Sequence, residues 1–391
     1  MKPKGTYGVL DTETQIFKKG HPFAQQNRLC LVGIRTGGSN YIWKIEYDSD
    51  PYAKALADIQ STIDSVSILV LFNGKFDLHW LRRYGIKFEH KLVWDCQLAE
   101  FILGNQLNRF PSLAGTSTRL GLPSKGNDFA AKYWDKGIDT PNIPLRELIP
   151  YLEGDLEDTE QVYLKQLVEV EQAGKMDLVK LHNADLLVLE EMEANGIQFN
   201  WEGMVSRSQE LHQKLDDTIA KLQTYCSSWS HFNWASGDHL SCLLYGGTIN
   251  VDEPTPYEHT YLSGPKRGTT ETRNKWQVVS RTYPRLVEPI EGSSLKKDGY
   301  WSTDEGTLKQ LKGVTELVDL LLAKAEYTKL LSTYYDGIPK LFEEYDWEPG
   351  GAVHGQLNQV TVVTGRLSAE KPNQQNFVAE INDYIISRFL N

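Results

Sequence analysis

Five side chains within the first 155 residues have types and spacings suited to chemistry. Asp11 and Glu13 stand two apart in "VLDTET", at the end of an apolar strand-like run, where strand alternation sends both carboxylates to one face. Asp77 closes "NGKFD", four residues after Asn73, at the start of a helix that follows a buried strand. Tyr151 and Asp155, in "YLEGD", are spaced i, i+4 and so are neighbours on one helix face. Acidic residues at strand ends and helix starts are commonly just solvated, and a Tyr–Asp surface pair is commonly ornament. Together, however, the four carboxylates fit one chemistry. They can hold two divalent cations about 4 Å apart, one activating water and one stabilising a leaving oxygen. An all-oxygen donor set suits hard Mg²⁺ or Mn²⁺, two per site, and no Cys or His cluster competes for it.

The elements that must position these groups are legible as periodicities. "TYGVLDTE" (6–13), "RLCLVGIR" (28–35) and "NYIWKIEY" (40–47) read as sequential strands. "YAKALADIQSTI" (52–63) has helical spacing, "VSILVLF" (66–72) is a buried strand, and "KFDLHWLRRYGI" (75–86) is a helix closed by Gly85. The expected product is a mixed α/β domain around one central sheet over residues 1–175. From 176 the pattern becomes long helices. One ends at Asn195-Gly196 as a left-handed C-cap. The next carries Val205, Ser208, Leu211, Leu215, Ile219 and Leu222 as a stripe. A mainly helical domain over 176–345 is expected, interrupted at 245–300 by a Gly/Pro/Thr-rich β or loop insertion. A Ser302-x-x-Glu305 capping box restarts the helices, and a long helix runs from about 314 to 335. Residues 346–391 form a third segment.

"LDTET", "NGKFD" and "YLEGD" resemble the three motifs of the DEDD exonuclease superfamily, which has a ribonuclease H-like fold. The Y-x-x-x-D spacing is that of its tyrosine subclass; the histidine subclass would have His five residues before Asp155, where Pro150 stands. The resemblance implies that Asp11, Glu13, Asp77 and Asp155 bind two metals. It implies further that Tyr151 orients the attacking water and that Asn73 shapes the substrate channel. Asp95, in "VWDCQLAEFIL", matches a secondary acidic position, for which a supporting role is expected rather than direct ligation.

The second half resembles family A DNA polymerases, in "MEANGIQFN", "YWSTDEGTLKQL", "KLLSTYYDGIP" and above all "TGRLS…PNQQN", found where thumb joins palm. Arg366, Asn373, Gln375 and Asn376 are donors that could test base-pair geometry, since every Watson–Crick pair offers minor-groove acceptors at purine N3 and pyrimidine O2. Lys266, Arg267, Arg273 and Lys275 in "GPKRGTTETRNKW" suit either a phosphate grip or a solvated hairpin. The fingers pattern R-x-x-x-K…Y-G and the H-D-E triplet of the polymerase site are absent, and the chain closes at "NDYIISRFLN". The resemblance therefore implies a 3′–5′ proofreading exonuclease with a DNA-gripping thumb. It would be one subunit of a polymerase split between two polypeptides, as in some bacteriophages, or a fragment of a longer chain; the start at Met1 favours a natural N-terminus. DNA, as a single-stranded 3′ end and as a primer–template duplex, is the expected substrate and partner. A second polypeptide carrying palm and fingers is the expected protein partner, docked by the tail near 377–391. The alternatives are a non-catalytic DNA-holding assembly subunit and a stand-alone ribonuclease D-like nuclease.

Bulk composition leaves these readings intact. With 40% hydrophobic residues among 391, the chain can support more than one core. A net charge of −11 argues against a protein that merely coats nucleic acid, but a carboxylate-lined metal site is itself acidic. No apolar run reaches membrane-spanning length and the start lacks a secretory h-region, so a cytoplasmic location is expected, host cytoplasm if phage-encoded. The four scattered cysteines read as buried reduced thiols.

Overall fold

The computed structural model describes residues 6–45, 52–123, 128–227 and 229–386. Its N-terminal part is built on five strands, β1 (Tyr7–Thr14), β2 (Leu29–Thr36), β3 (Ser39–Lys44), β4 (Ile68–Leu71) and β5 (Leu92–Asp95). They lie in the order β3-β2-β1-β4-β5, so β1 is central. It pairs antiparallel with β2 and parallel with β4, while β3 and β5 complete the mixed sheet. The sequence dictates this layering. Val9 on β1, Leu31 on β2 and Val70 on β4 face one way and Leu10, Val32, Leu69 and Leu71 the other, and each set sits in a separate core cluster. An alternating strand with apolar residues at both parities must be covered on both faces.

The helices supply the covers. Ile59 and Ile63 of α1 (Tyr52–Ser65) and Leu78 and Leu81 of α2 (Gly74–Arg83) pack on the Leu10 side, with Leu98 and Phe101 of α3 (Cys96–Leu103). The Val9 side receives Leu148, Leu152 and Leu156 of the long helix α6 (Leu145–Gln172), reached through the short helices α4 (Leu113–Arg119) and α5 (Asp128–Lys132). Gly33 makes this approach possible. A Cβ there would lie 2.8 Å from Leu156 Cδ1 and 3.1 Å from Leu152 Cγ. The β3 run stops at Lys44, and Glu46 and Tyr47, expected at its end, lie outside the described residues.

Helices α7 (Met176–Asn195) and α8 (Trp201–Tyr225) follow. The chain packs as two compact units, one of Met1–Met204 with Ile338–Asn391 and one of Val205–Gly337. The second has its own core, in which Leu222 of α8 and Leu243 and Leu244 of α9 (Gly237–Tyr245) meet Leu317, Val318 and Leu321 of α11 (Glu316–Leu330). From this core rises a ribbon of two 14-residue antiparallel strands, β6 (Gly247–Thr260) and β7 (Thr270–Tyr283). Ile249 and Tyr283 root it and no other residue of the two strands is buried, so the expected insertion takes the β form. Its turn contains Gly264 and Gly268, both at positive φ.

Several local expectations are corrected. The helix α10 (Glu305–Gln310) is capped by Asp304, whose carboxylate accepts the Thr307 N–H at 2.8 Å; Ser302 instead donates to Asp304, so the cap is an Asp displaced by two residues. The long helix ends at Leu330 and passes into a π-turn over Leu331–Tyr335. Gly196 has positive φ, yet its ψ of −170° is extended rather than left-handed helical. Val205 lies off the buried stripe of α8, where Thr218 joins Leu211 and Leu222. The four cysteines are buried. Among the described residues no helix is long and apolar enough to cross a membrane.

The last segment returns to the first unit through α12 (Gly337–Tyr345), the short hairpin β8 (Gln356–Asn358) and β9 (Ser368–Glu370), and α13 (Ala379–Asn382). The tail expected to dock a partner is in part tied to this chain. The Asn200 N–H donates to the Tyr384 carbonyl and the Ile386 N–H to the Gln198 carbonyl, each at 2.8 Å; 387–391 lie outside the described residues.

Candidate active site

Strand alternation places the first two carboxylates. Asp11 and Glu13 follow Val9 on the face of β1 covered by α6, and the register shift against β2 falls between Glu13 and Thr14. A bulge of this kind bends the strand end and re-aims its side chains. The α6 helix brings the third carboxylate. One oxygen each of Asp11, Glu13 and Asp155 lies within 4.8 Å of the others, the one such group of potential metal ligands found among the described residues. The cross-strand partner of Asp11 is Gly33, the residue over which α6 approaches closely, so one glycine governs the gap between Asp11 and the helix bearing Asp155.

Asp77 arrives from the opposite face of the sheet and stands outside that group of three. It is 3% exposed, and Thr12 Oγ1, pointing from β1 toward α2, donates to its Oδ1 at 2.6 Å. Burial, then repulsion from Asp11, push the Asp77 carboxyl well above the usual carboxylate range, against the Thr12 hydrogen bond. Without a cation Asp77 therefore favours its proton, and a nearby divalent ion would reverse that preference. Acidic oxygens on both sides of β1, one of them buried and reluctant to ionise, fit a hard oxygen-seeking cation.

The Tyr151 ring is held between aromatic neighbours, stacked on Phe129 at 4.2 Å and edge-on to Trp134 at 5.5 Å between centroids. Burial, then the carboxylates of Asp155, Glu13 and Asp11, drive its phenol far above its ordinary value. Without a cation its hydroxyl therefore holds its proton firmly. Phe129 and Trp134 escape a reading by period because they lie on a short helix and a 3-10 turn. The preceding residues 124–127 lie outside the described residues.

Asn73 has φ 59° and ψ 44°, the left-handed conformation that Asn tolerates better than most residues, and turns the chain from β4 into α2. It lines a cavity of about 200 Å³ with Phe76, His354, Gln356 and Asn358. Asp95 braces two helix starts. Its carboxylate caps α3 through the Leu98 N–H at 2.9 Å and also accepts the Gly74 N–H at 2.6 Å, tying down the first turn of α2. Trp80 is fully buried, as packing requires.

The remaining candidates are placed but not gathered at this site. Arg366 is exposed in the turn between β8 and β9. Exposed Asn373, Gln375 and Asn376 occupy the next turn, and Gln375 Nε2 reaches back to the Leu367 carbonyl at 3.4 Å. On the ribbon, Arg273 donates to Glu271 at 2.7 Å and to the Tyr261 hydroxyl at 2.8 Å, and Lys266 lies 3.5 Å from Glu271. Arg267 is in the exposed turn and Lys275 on exposed β7.

Comparison with known proteins extends the reading of the second half. Residues 282–387 match the model of DNA polymerase family A. The chain is 27% identical to DNA polymerase I of Chloroflexus aurantiacus over 308 residues, covering 78% of this chain and 28% of that protein. It is 26% identical to DNA polymerase I of a Synechocystis species over 313 residues, again 78% of this chain and 26% of the relative. A thermostable DNA polymerase I from Thermus filiformis is 41% identical over 81 residues. The chain thus spans about a quarter of the length of the first two relatives. Its fold is similar to a solved structure described as the POL domain of Pol1 from M. smegmatis in complex with DNA primer-template and dNTP. The TM-score is 0.60 at 17% identity, covering 96% of this chain and 52% of that one. Over residues 282–387 the chain is thus similar to the family A DNA polymerases, and over most of its length its fold is similar to that of a polymerase domain.

Proposed function

We propose that this protein is a 3′–5′ DNA exonuclease of the DEDD tyrosine subclass, on a ribonuclease H-like sheet, joined to the DNA-holding part of a family A polymerase. The polymerase palm and fingers would be supplied by a second polypeptide. The observation that carries the nuclease reading is the convergence of Asp11, Glu13 and Asp155 within 4.8 Å, with Tyr151 one helical turn before Asp155. Asp11, Glu13, Asp77 and Asp155 would hold two Mg²⁺ or Mn²⁺ ions, which when bound supply an activated water and stabilise the leaving 3′ oxygen. The chain's own residues do the rest. Tyr151 offers its hydroxyl as a hydrogen-bonding guide for water, and Phe129 and Trp134 hold its ring in place. Thr12 orients Asp77, and Asn73 lines the adjoining cavity where an unpaired strand could enter. Arg366 with Asn373, Gln375 and Asn376 presents donors for the minor groove of a duplex.

The test is end degradation of a single-stranded oligodeoxynucleotide by the full chain in Mg²⁺ or Mn²⁺, with EDTA and an RNA strand as controls. Asp11→Ala with Glu13→Ala should abolish cutting while DNA binding survives. Cutting by this double variant at the wild-type rate refutes the nuclease reading. Primer extension by the chain alone refutes the split-polymerase reading.

A further inference from the structure

Outside the carboxylate cluster, two buried carboxylates of α7 grip α2: Glu190 holds Arg82 and His79, and Glu193, near the end of α7, adds a link beyond α2. Glu193 accepts from Lys75 Nζ and from the Leu357 N–H through Oε1, and lies 2.8 Å from His79 Nε2 through Oε2. Lys75 Nζ also donates to the Leu357 carbonyl, and the Glu193 carbonyl meets His354 Nδ1 at 2.9 Å. Burial alone would raise the Glu193 carboxyl. The His79 hydrogen bond and Lys75 outweigh it and leave it below its usual range, so the group is a buried anion with several donors.

Two features make this more than a stabilising ion pair. Lys75 and His79 flank Asp77 on α2 at i, i+2 and i+4, so the clasp grips the same helix one turn apart on the side away from Asp77. Apolar packing by Leu78 and Leu81 is non-directional and resists rolling weakly, whereas two directional contacts one turn apart fix rotation about the helix axis. The far end of the clasp is the outer edge of β8. Leu357 pairs with Ala369 of β9, and its own N–H and carbonyl go to Glu193 and Lys75. The β8–β9 turn carries Arg366.

We infer that Glu193 is a positioning residue that registers Asp77 of the nuclease site to the β8–β9 hairpin, so that the hairpin bearing Arg366 sets how α2 presents Asp77. The inference rests on the nuclease reading above. Glu193 is not one of the carboxylates proposed to hold metal; with Lys75 and His79 it borders the cavity that Asn73 lines, and an unchanged KM distinguishes action through α2 from contact with an entering strand.

The experiment is a Mn²⁺ titration of single-strand end cleavage by the full chain, comparing wild type, Glu193→Gln, Asp77→Asn and the double variant. Thermal midpoints are recorded throughout. Glu100→Gln, which removes a buried carboxylate paired with Arg119 elsewhere in the unit, is the structural control. Glu193→Gln should lower kcat about tenfold with KM unchanged and shift the Mn²⁺ midpoint upward, because a small misplacement of a ligand is felt in the chemical step. In the Asp77→Asn background the same substitution should have no further effect on the residual rate, as expected for residues acting as one unit. Glu100→Gln should lower the thermal midpoint and leave the Mn²⁺ midpoint in place. Should Glu193→Gln fail to fold, Lys75→Met removes the α2 end of the clasp while Glu193 keeps His79 and Leu357, and it should move the Mn²⁺ midpoint in the same direction. Additive losses in the cycle, or a Mn²⁺ midpoint unmoved in every clasp variant, overturn the inference. If Asp11→Ala with Glu13→Ala is inactive while Glu193→Gln behaves as wild type, this inference alone fails. Activity in that double variant would sink the underlying reading instead.

Discussion

The ends of β1 and the ribbon β6–β7 both concentrate charged side chains, but they handle charge in opposite ways. Around β1, like charges are forced together: Asp11, Glu13 and Asp155 crowd within 4.8 Å, and Asp77 is driven away from ionisation by burial and by Asp11. Along the ribbon, charges neutralise one another in solvent. Arg273 and Lys266 both turn to Glu271, and Tyr261 shares in the pairing. Repulsion that a fold maintains at the cost of stability calls for a ligand of opposite sign. Pairing on an exposed surface calls for nothing and contributes little. On the proposed reading the first region is a site and the second a surface whose contacts are optional.

The largest effects should follow from disturbing the geometry that enforces the crowding. Gly33→Val puts branched carbon where even a Cβ would lie 2.8 Å from Leu156, so α6 must move away from β1 and carry Asp155 and Tyr151 with it. We expect a stability loss of about 1–3 kcal/mol by denaturant titration, as for overpacked cores. Nuclease activity should fall by about 10²-fold or more, in line with the cost of displacing a positioned group by about 1 Å. The corresponding ribbon change, Val278→Thr at a residue 66% exposed, should stay within about 0.5 kcal/mol and leave cutting untouched. Equal losses from both would erase the distinction between the regions.

How far each region was legible in sequence follows from the same contrast. Asp11 with Glu13 and Tyr151 with Asp155 could be paired from spacing because a strand repeats every two residues and a helix returns after four, and their packed elements obey those periods. A mixed sheet and the succession of its first four strands and first two helices were legible for that reason, whereas the four-residue β5, which ends in Asp95, was not. Asp77 could be proposed from its motif, but its link to β1 through Thr12 runs between elements, and no period encodes such a link. Phe129 and Trp134 sit on irregular pieces of chain and were missed. Glu193, in "LEEMEANG", looks like one more solvated helix acid; only tertiary packing makes it a clasp. The displaced cap at Asp304 is a failure of resolution, since Ser302 and Asp304 both suit an N-cap and a choice between them needs backbone angles. On the ribbon, alternation foretold strands but could not say which cations would find Glu271.

A smaller effect tests the electrostatic half of the comparison. Because the folded pKa of Asp77 is raised, its contribution to the stability of the metal-free protein is present at low pH and is lost as pH rises through that raised value. Asp77→Asn cannot ionise. In EDTA, wild type should therefore lose thermal stability relative to Asp77→Asn as the pH climbs from about 4 toward 8, beginning above the ordinary carboxylate range. Adding Mg²⁺ should close or invert the gap, since the ion binds the ionised form. A gap that does not change with pH in EDTA would mean that Asp77 is not held against ionisation. A gap indifferent to Mg²⁺ would mean that the carboxylates do not gather a cation.

The smallest effect separates ribbon cations that are engaged from those that are not. Among the described residues Lys266 and Arg273 are paired with Glu271, and no ion pair holds Arg267 or Lys275. If the ribbon grips DNA phosphates, each contact releases counterions, and its loss lowers the slope of log affinity against log salt by about one. Lys275→Ala and Arg267→Ala should each show that change in duplex binding, whereas Arg273→Ala should show less because its charge is already spent on Glu271. Glu271→Gln supplies the opposite sign: it releases two cations at once and should steepen the salt dependence and tighten binding at low salt, with no change in end cleavage. Were Arg273→Ala to weaken binding as much as Lys275→Ala, the internal pairing would be yielding to DNA, and the ribbon would belong with β1 among regions built for a charged ligand. Flat slopes for all four would leave the ribbon a solvated hairpin, with Arg366 and its neighbouring amides as the remaining basis for duplex binding.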